Sequence, residues 1–161
     1  MDEAAQTVYL ICPRLGGLAN DVEVRTEAGE ALYHVKSEPL SLLGRRYTVY
    51  DGAMQEVLTS QQDHTVLFPR HTVLENGRPF AKVGQHGVIP QDYFVQIGTA
   101  PPAIVRIPLY GGVFKLQGPH GVVAEIAQHR STWVVVTGAD PEHSRIAALI
   151  ALIYREYAIG G

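Results

Sequence analysis

The stretch Ile146-Ala147-Ala148-Leu149-Ile150-Ala151-Leu152-Ile153-Tyr154 is uncharged for nine residues and apolar at every helical position. A helix lying on one side of a sheet keeps a polar stripe toward water, and over more than two turns this segment has none. It therefore asks for protein on all sides. It is also well short of the roughly 20 apolar residues needed to span a bilayer. Its polar residues stand at its ends: Glu142, His143 and Arg145 before it, Arg155 and Glu156 after it. Asp140-Pro141-Glu142 supplies a start signal, with Asp as N-cap, Pro at the first helical position and an acid facing the helix dipole. Ala147, Ala148 and Ala151 suit a crowded axis.

The rest of the chain can build the surround. Short alternating runs rich in Val, Ile, Tyr and Thr, separated by Gly-containing turns, predict antiparallel strands. They fall at Tyr9 to Cys12, Asp21 to Thr26, Ala31 to Lys36, Tyr47 to Tyr50, Gln55 to Thr59, Thr65 to Phe68 and Arg78 to Val83. Further runs are Tyr93 to Ile97, Ile104 to Leu109, Val113 to Leu116, Val122 to Ala127 and Trp133 to Thr137. No helical period occurs before residue 140. The expected fold is mainly β: one domain over residues 1–161, a closed antiparallel barrel of about twelve strands enclosing a central hydrophobic C-terminal helix.

Turn chemistry agrees. Asn76-Gly77 is a type I′ hairpin signal, because both central residues of that turn need positive φ. Hairpin-like units recur at about 24 residues from Val24 to Val49 to Val73, then lapse for some forty residues. The link from Gly98 to Ala103, with Pro101-Pro102, reads as a crossing loop between two halves of the strand series.

The composition narrows the function classes. Of 161 residues 46% are hydrophobic and 18% charged, so a disordered chain is excluded. Thirteen Lys and Arg against 16 Asp and Glu give a net charge of −3, which argues against a nucleic-acid partner. The single Cys12, in an apolar run, reads as a buried structural thiol. The acidic Met1-Asp2-Glu3 start has no secretory pattern, so the expected location is cytoplasmic, with peripheral membrane association allowed for. Seven scattered histidines lack metal-ligand spacing, no phosphate loop or nucleophile motif occurs, and no cofactor, metal or catalytic residue is expected.

The run Leu42-Leu43-Gly44-Arg45-Arg46-Tyr47-Thr48-Val49-Tyr50-Asp51-Gly52 and the hairpin Thr72 to Val83 stand out in order along the chain. With Val123-Ala124-Glu125-Ile126 before Trp133, and Asp140-Pro141 opening the helix, the layout resembles the LURP-one-related family of the tubby C-terminal-like superfamily. Phospholipid scramblases and tubby proteins are relatives. The resemblance spans roughly residues 7 to 158. It implies a twelve-stranded barrel around a helix and association with membrane lipids in some relatives; tubby domains bind phosphoinositides through basic side chains on the barrel surface.

Positive charge gives the functional lead. Residues 45 to 130 carry eight basic and six acidic groups, whereas residues 1 to 44 carry three basic and seven acidic. Arg45, Arg46, Arg70, Arg78 and Lys82 are the candidate residues for an anionic headgroup. Arg78 and Lys82 share one sheet face by parity, along with Phe80. The expectation is a non-enzymatic barrel that meets phospholipid headgroups or a membrane-associated protein. The alternative is a binding module for a small apolar or acyl ligand, with an enzyme third.

Overall fold

Inward-facing apolar residues at every second position drive the sheet to curl around the helix, and the computed structural model describes the result for residues 6–14, 21–38, 45–63, 67–138 and 142–160. The strands are β1 (Thr7–Pro13), β2 (Val22–Thr26), β3 (Ala31–Ser37), β4 (Tyr47–Asp51), β5 (Glu56–Gln62) and β6 (Arg70–Glu75). They continue as β7 (Arg78–Gln85), β8 (Asp92–Ile97), β9 (Ala103–Arg106), β10 (Gly112–Gly118), β11 (Gly121–His129) and β12 (Thr132–Thr137). The helix α1 (His143–Gly160) follows. Each strand pairs antiparallel with its neighbours in sequence, and β1 closes the barrel on β12 from Thr7↔Thr137 to Ile11↔Trp133.

The helix runs along the barrel axis. Every residue from Ile146 to Glu156 is buried. It approaches β1, β2 and β3 on one side and β7 and β8 on the other. At its start the Tyr9 hydroxyl bonds His143 Nδ1, and Arg145 pairs with Glu75 at 2.9 Å. Further down, the Tyr154 hydroxyl donates to the Ser131 carbonyl at 2.6 Å. Asp140 and Pro141, read as the helix start, lie outside the described residues.

The hairpin repeat extends further than the sequence suggested. Val24, Val49 and Val73 face inward on β2, β4 and β6, and Val95, Leu116 and Val135 are also buried core residues on β8, β10 and β12. The repeat is one down-and-up pair of strands, and what changes along it is the spacing, which shortens after Val73 as the connections shorten. Asn76 (φ 52°) and Gly77 (φ 75°) form the predicted turn between β6 and β7.

Three expectations are corrected. The Gly98 to Ala103 link crosses nothing: it joins the adjacent strands β8 and β9. Leu67 and Phe68, read as strand, form a bend before β6, while Thr65 and Val66 lie outside the described residues. β9 ends at Arg106, so Leu109 is in the turn that follows.

Candidate functional site

Because the strands alternate in direction, the helix finishes at the barrel end that holds the starts of β4, β6 and β8 and the connections β7–β8 and β9–β10. The sequence reading placed Arg155 and Glu156 as polar residues at the helix end. Both are instead buried, at 5% exposure. A buried carboxylate needs partners, and the wall supplies them. Tyr47 Oη donates to Glu156 Oε1 at 2.5 Å, His71 Nε2 bonds the same oxygen at 2.9 Å, and Arg45 Nη1 reaches Oε2 at 2.9 Å. Arg155 donates from Nε to Ser37 Oγ at 3.1 Å and lies over the Tyr47 ring. The backbone N–H of Tyr47 donates to Ser60 Oγ at 3.1 Å, which fixes the start of β4.

The electrostatics follow from this packing. Burial opposes ionisation of Glu156, but the hydrogen bonds from His71 and Tyr47 and the charges of His71 and Arg45 overcome it and hold the carboxyl below its usual range. Burial, reinforced by the neighbouring carboxylate, pushes the Tyr47 phenol well up. Burial also lowers the Arg155 guanidinium, against the pull of Tyr47 and Glu156. Tyr93 is raised to about 12, again chiefly by burial. Tyr47 and His71 both direct their donors to one carboxylate oxygen. The arrangement clamps the helix end to β4 and β6 and leaves Arg45, whose side chain is 44% exposed, facing water.

The five candidate basic residues separate along the axis. Arg45 and Arg46 precede β4, and Arg70 opens β6, all at the end where the helix finishes. Arg46 lies 3.8 Å from Glu38. Arg70 sits over the Phe94 ring at 5.1 Å from its centroid. Gly84 makes that possible: it pairs with both Arg70 and Phe94, and a Cβ there would stand 2.5 Å from the Pro69 carbonyl oxygen and 2.7 Å from Arg70 Cα. Arg78 opens β7 at the opposite end, and Lys82 is exposed in mid-strand. The parity read from the sequence fails here: β6 pairs Val73 with Ala81 but Leu74 with Pro79, so a bulge at Phe80 puts Arg78, opposite Glu75, and Lys82, opposite Thr72, on different faces. Phe80 is half-buried against the core, with the Arg145 guanidinium 5.2 Å from its ring.

Two features escaped the sequence reading. The first is the Tyr47–His71–Glu156 cluster, whose members are far apart in the chain and carry no motif. The second is a set of exposed apolar side chains. Leu67, Val88, Ile89, Leu109, Tyr110 and Val113 are six of the seven exposed large hydrophobics among the described residues, and all lie at the end where the helix finishes. A hollow of ≈ 440 Å³ lies at the other end, beside Tyr9, Leu32, His143 and Ser144. No helix among the described residues is long and apolar enough to cross a membrane.

No family model matches the sequence, and no curated protein matches it. Among solved structures, the X-ray structure of a protein from Arabidopsis thaliana superposes with a TM-score of 0.64. The match covers 92% of this chain and 90% of that one at 17% identity. At that identity the likeness is one of fold: the twelve-stranded barrel closed around a helix is an architecture this chain shares with the Arabidopsis protein.

Proposed function

We propose that this protein is a non-enzymatic barrel of the LURP-one-related kind that binds anionic phospholipid headgroups, or a protein partner at such a surface, with the end where the helix finishes. The ordered sequence motifs and the likeness to the Arabidopsis structure support the family reading. The functional reading rests on one observation, the separation of charge along the barrel axis. Among the described residues, Arg14, Lys36, Arg45, Arg46, Arg70, Arg106, Arg130 and Arg155 stand toward this end against Asp21, Glu23, Glu38, Asp63, Asp92 and Glu156, with Arg14 paired to Glu23. At the opposite end Arg25, Arg78 and Arg145 face six acids, Glu27, Glu30, Asp51, Glu56, Glu75 and Glu142. A molecule charged in this way orients itself in the field of an anionic surface with its basic end leading. The helix occupies the interior that an apolar ligand would need, which favours a surface function over an enclosed one.

Sedimentation with vesicles tests this reading. Binding should require anionic lipid and fall as salt rises, because surface attraction is screened within about 8 Å at physiological ionic strength. Each basic residue near an anionic surface contributes about 1 kcal/mol. Replacing Arg45, Arg46 and Arg70 together by alanine should therefore weaken binding by up to about a hundredfold. Equal binding to neutral and anionic vesicles, or no effect of the triple substitution, refutes it.

A further inference from the structure

We infer that the loop tips at the basic end insert into the headgroup region of a bilayer, so that contact is apolar as well as electrostatic; this rests on the headgroup reading above. Tyr110 is 98% exposed, Leu67 89%, Val88 77%, and Leu109 and Val113 67% each. Single exposed apolar residues are ordinary, but here they are concentrated. Of the exposed large hydrophobics among the described residues, only Met54, in the β4–β5 turn, lies at the other end.

Their arrangement selects the occupant. Leu67 stands just before β6, Val88 and Ile89 lie between β7 and β8, and Leu109 and Tyr110 lie between β9 and β10, with Val113 at the start of β10. These connections follow one another around half of the barrel rim. They form an arc of separate projections, which suits a soft planar surface; a folded partner would call for a continuous groove. Cations flank the arc. Arg70 borders Leu67 in β6, and Arg106 ends β9 with its side chain 66% exposed, while its Nε and Nη2 donate to the Asp92 carboxylate at 2.7 and 2.9 Å. Apolar tips edged by arginine match a layer whose outer face is anionic and whose depth is hydrocarbon. Tyr110 has the amphipathic ring favoured at that boundary.

The experiment uses the full chain and vesicles of phosphatidylcholine with phosphatidylserine. Trp133 is buried, at 2% exposure, and gives a fixed fluorescence background. In Tyr110→Trp, vesicle binding should shift the new emission to the blue, and lipids brominated near the headgroup should quench it. The double variant Leu109→Ser with Tyr110→Ser should bind at least tenfold more weakly. Its residual binding should be fully reversed by salt, and its unfolding midpoint should match the native one because the sites are exposed. If vesicles bind with salt sensitivity while the emission of the introduced tryptophan and the double variant's affinity stay unchanged, insertion is overturned and the electrostatic reading survives. If the native chain binds no vesicle, both fall. If Tyr110→Ser abolishes a dimer seen by sedimentation velocity, the arc is a protein interface and the inference is wrong.

Discussion

Removing the Glu156 carboxylate should be the most damaging single polar change in this barrel. In Glu156→Ala the Tyr47 hydroxyl and His71 Nε2 lose the oxygen that both bond, and these residues are 2% and 1% exposed, so water cannot replace it. Stranding a buried polar group costs about 1–3 kcal/mol. Two such groups place the loss near 4 kcal/mol, inside the range of about 3–5 kcal/mol for breaking a buried ion pair. The Arg45 arm adds little, since its side chain is half in solvent and such pairs contribute about 1 kcal/mol or less. For a chain of this size the midpoint of thermal unfolding should fall by about 10 °C. The pH dependence carries a sign. Glu156 is held below its ordinary value near 4.5 in the folded state, so its contribution is complete above that value and disappears as pH falls through the folded one. Asp92, held low by Arg106, titrates in the same direction in both proteins and cancels in the difference. Urea unfolding followed by far-ultraviolet circular dichroism at pH 7 and at steps down to pH 3 measures both effects. A loss below about 1 kcal/mol at pH 7 would refute the reasoning. So would a difference between the two proteins that does not shrink in acid.

Leu149→Asp should abolish folding, because Leu149 is fully buried and the new carboxylate finds no partner along the axis, whereas Leu149→Met should cost less than about 1.5 kcal/mol; protease resistance separates the two. Gly84→Ala should destabilise by about 1–3 kcal/mol, since the added carbon meets backbone at Pro69 and Arg70, and an unchanged urea midpoint would show that this corner of the barrel is loose. Cys12 is half-buried, not fully buried as its apolar run suggested, and it should react with iodoacetamide at pH 7.5 more slowly folded than in urea, because partial burial pushes its thiol up against the opposing influence of Arg25; equal rates would contradict that placement.

The architecture was legible because its strongest signals were local. Nine apolar residues with no wet side could only be interior, and period-two runs with Asn-Gly and other Gly-containing turns could only be a wall around them. The strand predictions failed at Leu67 and Phe68 and at Leu109, and the failures share a cause. The reading takes an apolar residue as evidence of burial, whereas Leu67, Leu109 and Tyr110 are apolar and exposed. Their error marks the rim where the structure departs from the folding logic of the rest, as functional positions tend to. The buried cluster was hidden for another reason. Tyr47, His71 and Glu156 meet only because β4, β6 and the helix end share one level of the barrel, a fact of register that no spacing along the chain encodes. Arg45, Arg46 and Arg70 were identified by charge alone, and the sequence could not tell that Arg78 belongs to the opposite end.

The path of the chain imposes an order on its own assembly. Eleven strand pairings join neighbours in sequence, but the seam of β1 with β12 joins residues 130 apart at Thr7↔Thr137, and the plug is made only after the wall. Until residue 157 has cleared the ribosome, the inner face of up to twelve strands has nothing to rest on. Such long-range closure is slow, and open apolar sheets aggregate while they wait. Synthesis of this protein should therefore draw on holding chaperones throughout elongation, and a pause in translation beyond β12 should be more harmful than the same pause within the strands.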